Sequence, residues 1–137
     1  MRHTVFRVLL TSIFVFCLSG IDAGLHGSLA EEALDGKSFN INLSEYGKSG
    51  DPSGDVLIFK DETMLSTECE QYGFGPGSYE SVTKDGKILF EATTTSQKEG
   101  IIEWEGTVDG SKINGNFMWS KPGQDPVLYT YSGSIKQ

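Results

Sequence analysis

The sequence predicts an all-β protein, folded as an antiparallel up-and-down barrel of about eight strands. Short stretches alternate apolar and polar residues, and turn-forming Gly, Asp and Pro residues separate them. No stretch repeats its apolar residues at the period of a helix. The chain of 137 residues is long enough for one domain and too short for two well-buried ones.

The first half of the domain predicts three strands. Residues 38–43 alternate as a first strand, and a polar loop rich in Gly follows at 47–55. The apolar run 56–59 predicts the second strand. The tight turn 60–63 then leads into a return strand over 63–69.

A loop and a weak strand follow. Residues 71–77 are broken by glycine and proline and predict a loop or bulge, and 79–83 predict a short strand. The pair Asp85-Gly86 is a strong hairpin pattern, because both central residues of the favoured turn need a positive φ.

The second half of the domain alternates more regularly. Apolar residues lie on one side of four predicted strands, at 88–94, 102–108, 113–119 and 127–135. Eight strands leave an interior that side chains fill or that holds one small ligand. The inward positions include glycines at 106, 115 and 133 and the aromatic residues Phe39, Phe59, Phe90, Trp104, Phe117, Trp119, Tyr129 and Tyr131.

The first thirty residues predict a cleaved signal peptide (1–30) ahead of a single barrel domain (31–137). Residues 8–18 form an apolar run behind a basic start. The run is shorter than the roughly 20 residues that span a bilayer, which favours a secretory signal over a membrane anchor. Cleavage after Ala30 has the better small-x-small pattern, and Ala23 offers an alternative. We therefore expect an exported protein, periplasmic or extracellular, without a membrane anchor after cleavage.

The mature domain is acidic. Cleavage after Ala30 removes Arg2, Arg7 and Asp22, which changes the formal net charge from −8 to −9. This charge repels phosphate backbones, so nucleic acid is excluded as a partner. It attracts cations and basic proteins.

The residues that most enzymes need are missing from the predicted mature domain. Both histidines, His3 and His26, precede the preferred cleavage site, which excludes Ser–His and Cys–His catalysis and histidine-based metal sites. Cys69 becomes the sole cysteine, and the carboxylates on either side of it disfavour a reactive thiolate. We expect a protein that is not an enzyme and that needs no cofactor or metal.

Glu103 and Glu105 are the one pair of carboxylates with a spacing of interest. Two residues on one strand face lie about 6.5–7 Å apart, close to the separation of paired glycosidase acids. Trp104 between them points to the predicted interior. We therefore expect both glutamates on the outer surface, solvated and without a cleft.

The inward aromatic residues allow two interpretations. In the first, they simply fill the barrel. In the second, Trp104, Trp119, Tyr129 and Tyr131 line one mouth of the barrel and form an apolar pocket with hydrogen-bonding groups, as small-molecule sites do. Tyr79 and the loop 71–77 would then lie near the opening.

Two sequence patterns resemble those of lipocalin-like, calycin-type barrels. Gly36-Lys37-Ser38-Phe39 opens the first strand, and residues 100–119 lead to a tyrosine-rich last strand. The patterns C-x-x-Y-G-F at 69–74 and W-x-G-x-V-x-G-x-x-I-x-G at 104–115 are similar to those of small secreted bacterial proteins. The resemblance implies a barrel and a habit of binding.

Two functions are expected from these observations. The first is non-catalytic binding of a small apolar or amphipathic ligand at the aromatic mouth. The alternative is an acidic protein-binding module, similar to small secreted barrels that inhibit lysozyme, because the net charge would steer a basic protein towards the domain.

Overall fold

The chain from residue 33 to residue 137 is described by a computed structural model, and it folds into strands that close on one another. The predicted signal peptide, residues 1–30, lies outside the described residues. The strands in chain order are β1 (Ser38–Glu45), β2 (Ser53–Lys60), β3 (Thr63–Ser66), β4 (Gly77–Lys84), β5 (Lys87–Ser96), β6 (Gly100–Asp109), β7 (Lys112–Ser120) and β8 (Val127–Ile135).

Every strand pairs antiparallel with the next one along the chain, and β1 pairs with β8 to close the barrel. The closing register runs along β1 from Phe39, opposite Ile135, to Glu45, opposite Tyr129. Closure leaves no open sheet edge, which is the usual solution for an up-and-down antiparallel sheet. The predicted all-β, eight-stranded barrel is confirmed.

Two hairpin turns follow the predicted chemistry. Asp85 and Gly86 have φ values of 53° and 76°, and they join β4 to β5. Asp61 and Glu62 have φ values of 51° and 62° between β2 and β3. Positive φ at both central residues matches the right-handed twist of the flanking strands. At Glu62 this conformation is strained, because a side chain disfavours the left-handed region.

The segment after β3 differs from its prediction. The expected strand over 63–69 ends at Ser66, and a single turn of 3-10 helix (Cys69–Tyr72) follows. The cause is Asp55, whose buried carboxylate accepts hydrogen bonds from Ser66 Oγ at 2.5 Å and from the backbone N–H of Glu68 at 3.0 Å. These bonds turn the chain away from the sheet.

No helix within residues 33–137 has the length and apolar character needed to cross a membrane.

Aromatic side chains fill the interior. The ring of Phe59 packs edge to face on Phe39, Tyr79 and Phe90, with ring centroids 5.0 to 6.0 Å apart. Edge-to-face pairs at these distances are favourable beyond the area that they bury. Every predicted inward aromatic residue lies in or against the core, and Trp119 and Tyr129 stay partly exposed.

Two inward glycines make room for a tyrosine. Gly106 on β6 lies directly opposite Gly115 on β7, and a Cβ atom on either would collide with the hydroxyl of Tyr131. That hydroxyl donates a hydrogen bond of 2.7 Å to the backbone carbonyl of Glu105. The predicted inward glycines therefore serve close packing, as glycines in strands often do.

We expect Glu62→Gly to raise the free energy of unfolding by roughly 0.5–1 kcal/mol. Removing the side chain relieves the cost of the left-handed backbone, and the larger entropy of glycine in the unfolded chain offsets part of the gain. Urea unfolding followed by circular dichroism measures the change.

Asp85→Gly is the matched control for this substitution, because Asp85 has a similar φ of 53° in the β4–β5 hairpin. Both variants should gain stability. A loss for Glu62→Gly beside a gain for Asp85→Gly would contradict the strain at Glu62.

Candidate functional site

The structure brings together four of the five residues predicted to bind a ligand. Trp104 contacts Tyr131, with ring centroids 5.8 Å apart, and Phe117 lies between this pair and Tyr129. The rings of Phe117 and Tyr129 are stacked at 4.7 Å. Trp119 packs against the same cluster from the end of β7. These aromatic contacts extend from the buried centre of the barrel to one of its ends.

The polar groups of the predicted site residues are mostly engaged within the protein. Of the five predicted site residues, Tyr129 is the one whose hydroxyl has no hydrogen-bond partner within residues 33–137. Burial raises the pKa of Tyr129, and the nearby Glu45 carboxylate raises it further. The other four donate to protein oxygens: Trp104 Nε1 to Thr94 Oγ1 (3.1 Å), Trp119 Nε1 to the Glu99 carbonyl (2.6 Å), Tyr131 to the Glu105 carbonyl (2.7 Å) and Tyr79 to Asp35 Oδ1 (2.6 Å).

The ring of Tyr79 packs on none of the other four, although Tyr79 and Trp104 both line the groove described below. Its ring packs on Phe59, and its hydroxyl donates to Asp35 in the segment that precedes β1. Asp35 also accepts from the backbone N–H of Glu62, so Tyr79 belongs to the end of the barrel that carries the β2–β3 turn. Trp119 is bonded to Glu99 in the turn between β5 and β6, at the opposite end.

A groove of about 420 Å³ lies on the outer surface over β4, β5 and β6. It runs beside the place where β3 pairs with β4 at only two positions. Five of the ten lining residues are glutamates: Glu62, Glu80, Glu91, Glu103 and Glu105. We call these five residues the groove glutamates.

The groove corrects one expectation from the sequence. Glu103 and Glu105 lie on the outer surface as predicted, but the expectation that no cleft accompanies them is wrong. Alternation along one strand shows which face a residue occupies. The groove depends on the lateral register of three strands and on the turn at Glu62, which alternation does not reveal.

Three of the groove glutamates form a row across the sheet. Glu80 lies directly opposite Glu91, and Glu91 lies directly opposite Glu105. Residues in this relation have Cβ atoms about 4.5–5.5 Å apart, and like charges there are destabilising. Burial raises the pKa of Glu91 above its usual range, and the charges of Glu105 and Glu80 raise it further.

No groove glutamate is paired with a lysine or arginine within residues 33–137. The ion pairs in this part of the chain join Lys48 to Glu45, Lys87 to Asp109 and Lys121 to Glu99. Asn116 donates a hydrogen bond of 3.2 Å to Glu105 Oε1, which is a neutral contact. The groove therefore presents negative charge without an ion-pair partner among the described residues.

The chemistry of the groove is that of a cation-attracting surface. Across residues 33–137, no group of three or more His, Cys, Asp or Glu side chains is arranged to hold a metal ion. Cys69 is half-buried on the core, and burial raises the pKa of its thiol. Cys69 is not among the residues that line the groove.

The fold and the groove define an eight-stranded antiparallel barrel with an acidic outer surface, an architecture that fits a lipocalin-like barrel. The chain is 27% identical over 106 residues to the translocon-associated protein subunit beta of Dictyostelium discoideum. The match covers 77% of this chain and 56% of that protein, so the chain spans about half the length of this relative. No family model and no solved structure matches the chain.

We expect Glu91→Gln to stabilise the protein at pH 7 by a few tenths to about 1 kcal/mol, the range for a cross-strand pair. Because the pKa of Glu91 is raised in the folded state, the folded protein holds this proton more tightly than the unfolded chain does. The wild type therefore loses stability as the pH rises from the usual glutamate range through that raised pKa. The advantage of Glu91→Gln should grow over the same window.

Urea unfolding of both proteins between pH 4 and pH 8 measures this difference. Glu70→Gln is the control, because Glu70 is exposed on the 3-10 helix and lies outside the groove. A stability difference for Glu91→Gln that is constant with pH would contradict repulsion within the row.

Proposed function

We propose that this protein is an exported, non-catalytic binding protein whose acidic groove takes a basic segment of a partner protein. The row of Glu80, Glu91 and Glu105 carries the proposal, because these carboxylates lie side by side without a cationic partner in the described chain. Lysine or arginine side chains would supply the missing charge.

The energetics of the row support a partner. Like charges directly opposite one another cost the folded protein stability, and a cation bound between them would remove that cost. Binding would therefore gain from the new contacts and from relief of repulsion. The strained backbone of Glu62, which places another carboxylate on the groove, adds a second local cost on the same surface.

The charge and the comparison support the same class of function. The net charge of the chain is −8, which steers basic proteins towards it. The relative found by comparison is named as a subunit of a translocon-associated protein, which is a role in a protein assembly. The predicted absence of histidine from the mature domain supports a role without catalysis.

The binding of a fluorescein-labelled hexalysine peptide, measured by fluorescence anisotropy, tests this proposal. We expect binding that weakens steeply between about 50 and 500 mM salt, because exposed charges are screened over that range. The triple variant Glu80→Gln, Glu91→Gln, Glu105→Gln should bind at least tenfold more weakly than the wild type.

A second triple variant separates the groove from the net charge. Asp51→Asn, Glu70→Gln and Asp85→Asn remove the same three charges from exposed positions outside the groove. This variant should bind like the wild type. Equal weakening of both triple variants would show that only net charge matters, and that result would overturn the groove as the site.

One observation favours a second function, the binding of a small apolar ligand at the barrel end. Trp119 and Tyr129 remain partly exposed there, against the stacked ring of Phe117. Half-exposed aromatic side chains with an apolar floor are typical of small-molecule sites. Under this hypothesis Trp104 and Tyr131 form the buried base of the site.

Nile red, a neutral apolar dye, is the probe for this second function. Enhanced emission with the wild type and its loss in Trp119→Leu would support the site, because the indole is an exposed part of the wall. Leu65→Thr, on the outer face of β3, is the control and should leave the emission unchanged. Absence of any enhancement with the wild type would contradict the hypothesis.

A further inference from the structure

An apolar strip borders the acidic groove on the outer surface. Glu103, at the edge of the groove, lies directly opposite Met118 on β7, and Met118 lies directly opposite Leu128 on β8. Tyr46 follows next in this direction, because its backbone N–H donates to the carbonyl of Leu128. Ile101 lies two residues from Glu103 on the same strand face. We call Ile101, Met118, Leu128 and Tyr46 the apolar strip.

The strip is not part of the core. Ile101, Met118 and Leu128 alternate with the inward residues of their strands, and Tyr46 follows the end of β1. None of the four packs against the buried cluster. Tyr46 and Ile101 are 69% and 45% exposed, which makes them two of the most exposed large apolar side chains in the described chain. Apolar residues that cluster beside charged ones mark surfaces for protein contact more often than single exposed residues do.

We infer that the groove and the strip form one docking surface for an extended segment in which basic residues are followed by large apolar ones. This inference rests on the proposed function and specifies the chemistry of its partner. The basic part is assigned by charge complementarity to the groove glutamates. The apolar part is assigned because the apolar strip adjoins the groove, where Met118 of the strip lies directly opposite Glu103 of the groove.

The spacing of the strands sets the spacing within the partner. Two strand intervals separate Glu103 on β6 from Leu128 on β8 in the same row, which is about 10 Å along the sheet at the usual distance between neighbouring strands. An extended chain covers about 3.3 Å per residue. The apolar side chains of the partner therefore begin about three residues from its nearest basic one.

Two labelled peptides test the docking surface by fluorescence anisotropy: hexalysine followed by Leu-Phe-Leu, and hexalysine followed by Ser-Ser-Ser. We expect the first peptide to bind about tenfold more tightly, since apolar burial adds to the same ionic contact. This ratio should persist at high salt, where both peptides bind more weakly. Equal affinities of the two peptides would overturn the inference.

Variants of the strip locate the apolar contact. Met118→Thr with Leu128→Thr should reduce the ratio to about twofold or less, and Ile58→Thr, on the outer face of β2, should leave it unchanged. Tyr46→Ser with Ile101→Ser replaces only exposed side chains and should lower the ratio without disturbing the fold.

The outcomes distinguish this inference from the function on which it rests. If neither peptide binds, the proposed function fails. If both bind equally and no strip variant changes the affinity, the proposed function stands and the apolar strip is not part of the site. If the ratio falls equally with Ile58→Thr, the contact is not specific to the strip, and the inference fails.

Discussion

The barrel depends on the space that Gly106 and Gly115 leave for the hydroxyl of Tyr131. The two glycines face each other across β6 and β7, and the phenol reaches over them from β8 to the Glu105 carbonyl. This hydrogen bond joins β8 to β6 across β7, which lies between them. Burial and the Glu105 charge raise the pKa of Tyr131, so the hydroxyl keeps its proton and remains a donor. Methyl groups at either glycine would force the strands apart.

This interior register also decides the composition of the outer surface. Side chains alternate between the two faces of a strand, so a slip of one residue would exchange them all. Because Gly106 points inward, its neighbour Glu105 points outward. In the same way Phe90 points inward and Glu91 points outward, directly opposite Glu105. The packing of the core fixes the row of groove glutamates, although none of them contributes to that packing.

Much of the fold is predictable because it depends on patterns among residues that are close in sequence. Alternation within each strand, Asp85-Gly86 and the inward aromatic residues all depend on neighbours in sequence. The end of β3 was not predictable, because Asp55 turns the chain from another strand through Ser66. The groove is not predictable for the same reason, since Glu80, Glu91 and Glu105 are brought together only by the pairing of three strands. Likewise, no pattern in the sequence around Tyr79 indicates its hydrogen bond to Asp35. This bond places the Tyr79 hydroxyl at the end of the barrel opposite Trp119.

The location of the unfavourable contacts distinguishes the groove from the rest of the barrel. Within residues 33–137, every buried side-chain nitrogen or oxygen has a hydrogen-bond partner, so the core carries no such cost. The repulsion at Glu91 lies instead on the surface, within the groove. A sheet surface without a partner has no physical need of this repulsion, because a neutral residue at 91 would serve the fold better. Under the proposed function, a bound basic segment would supply the missing positive charge and would relieve the repulsion at Glu91.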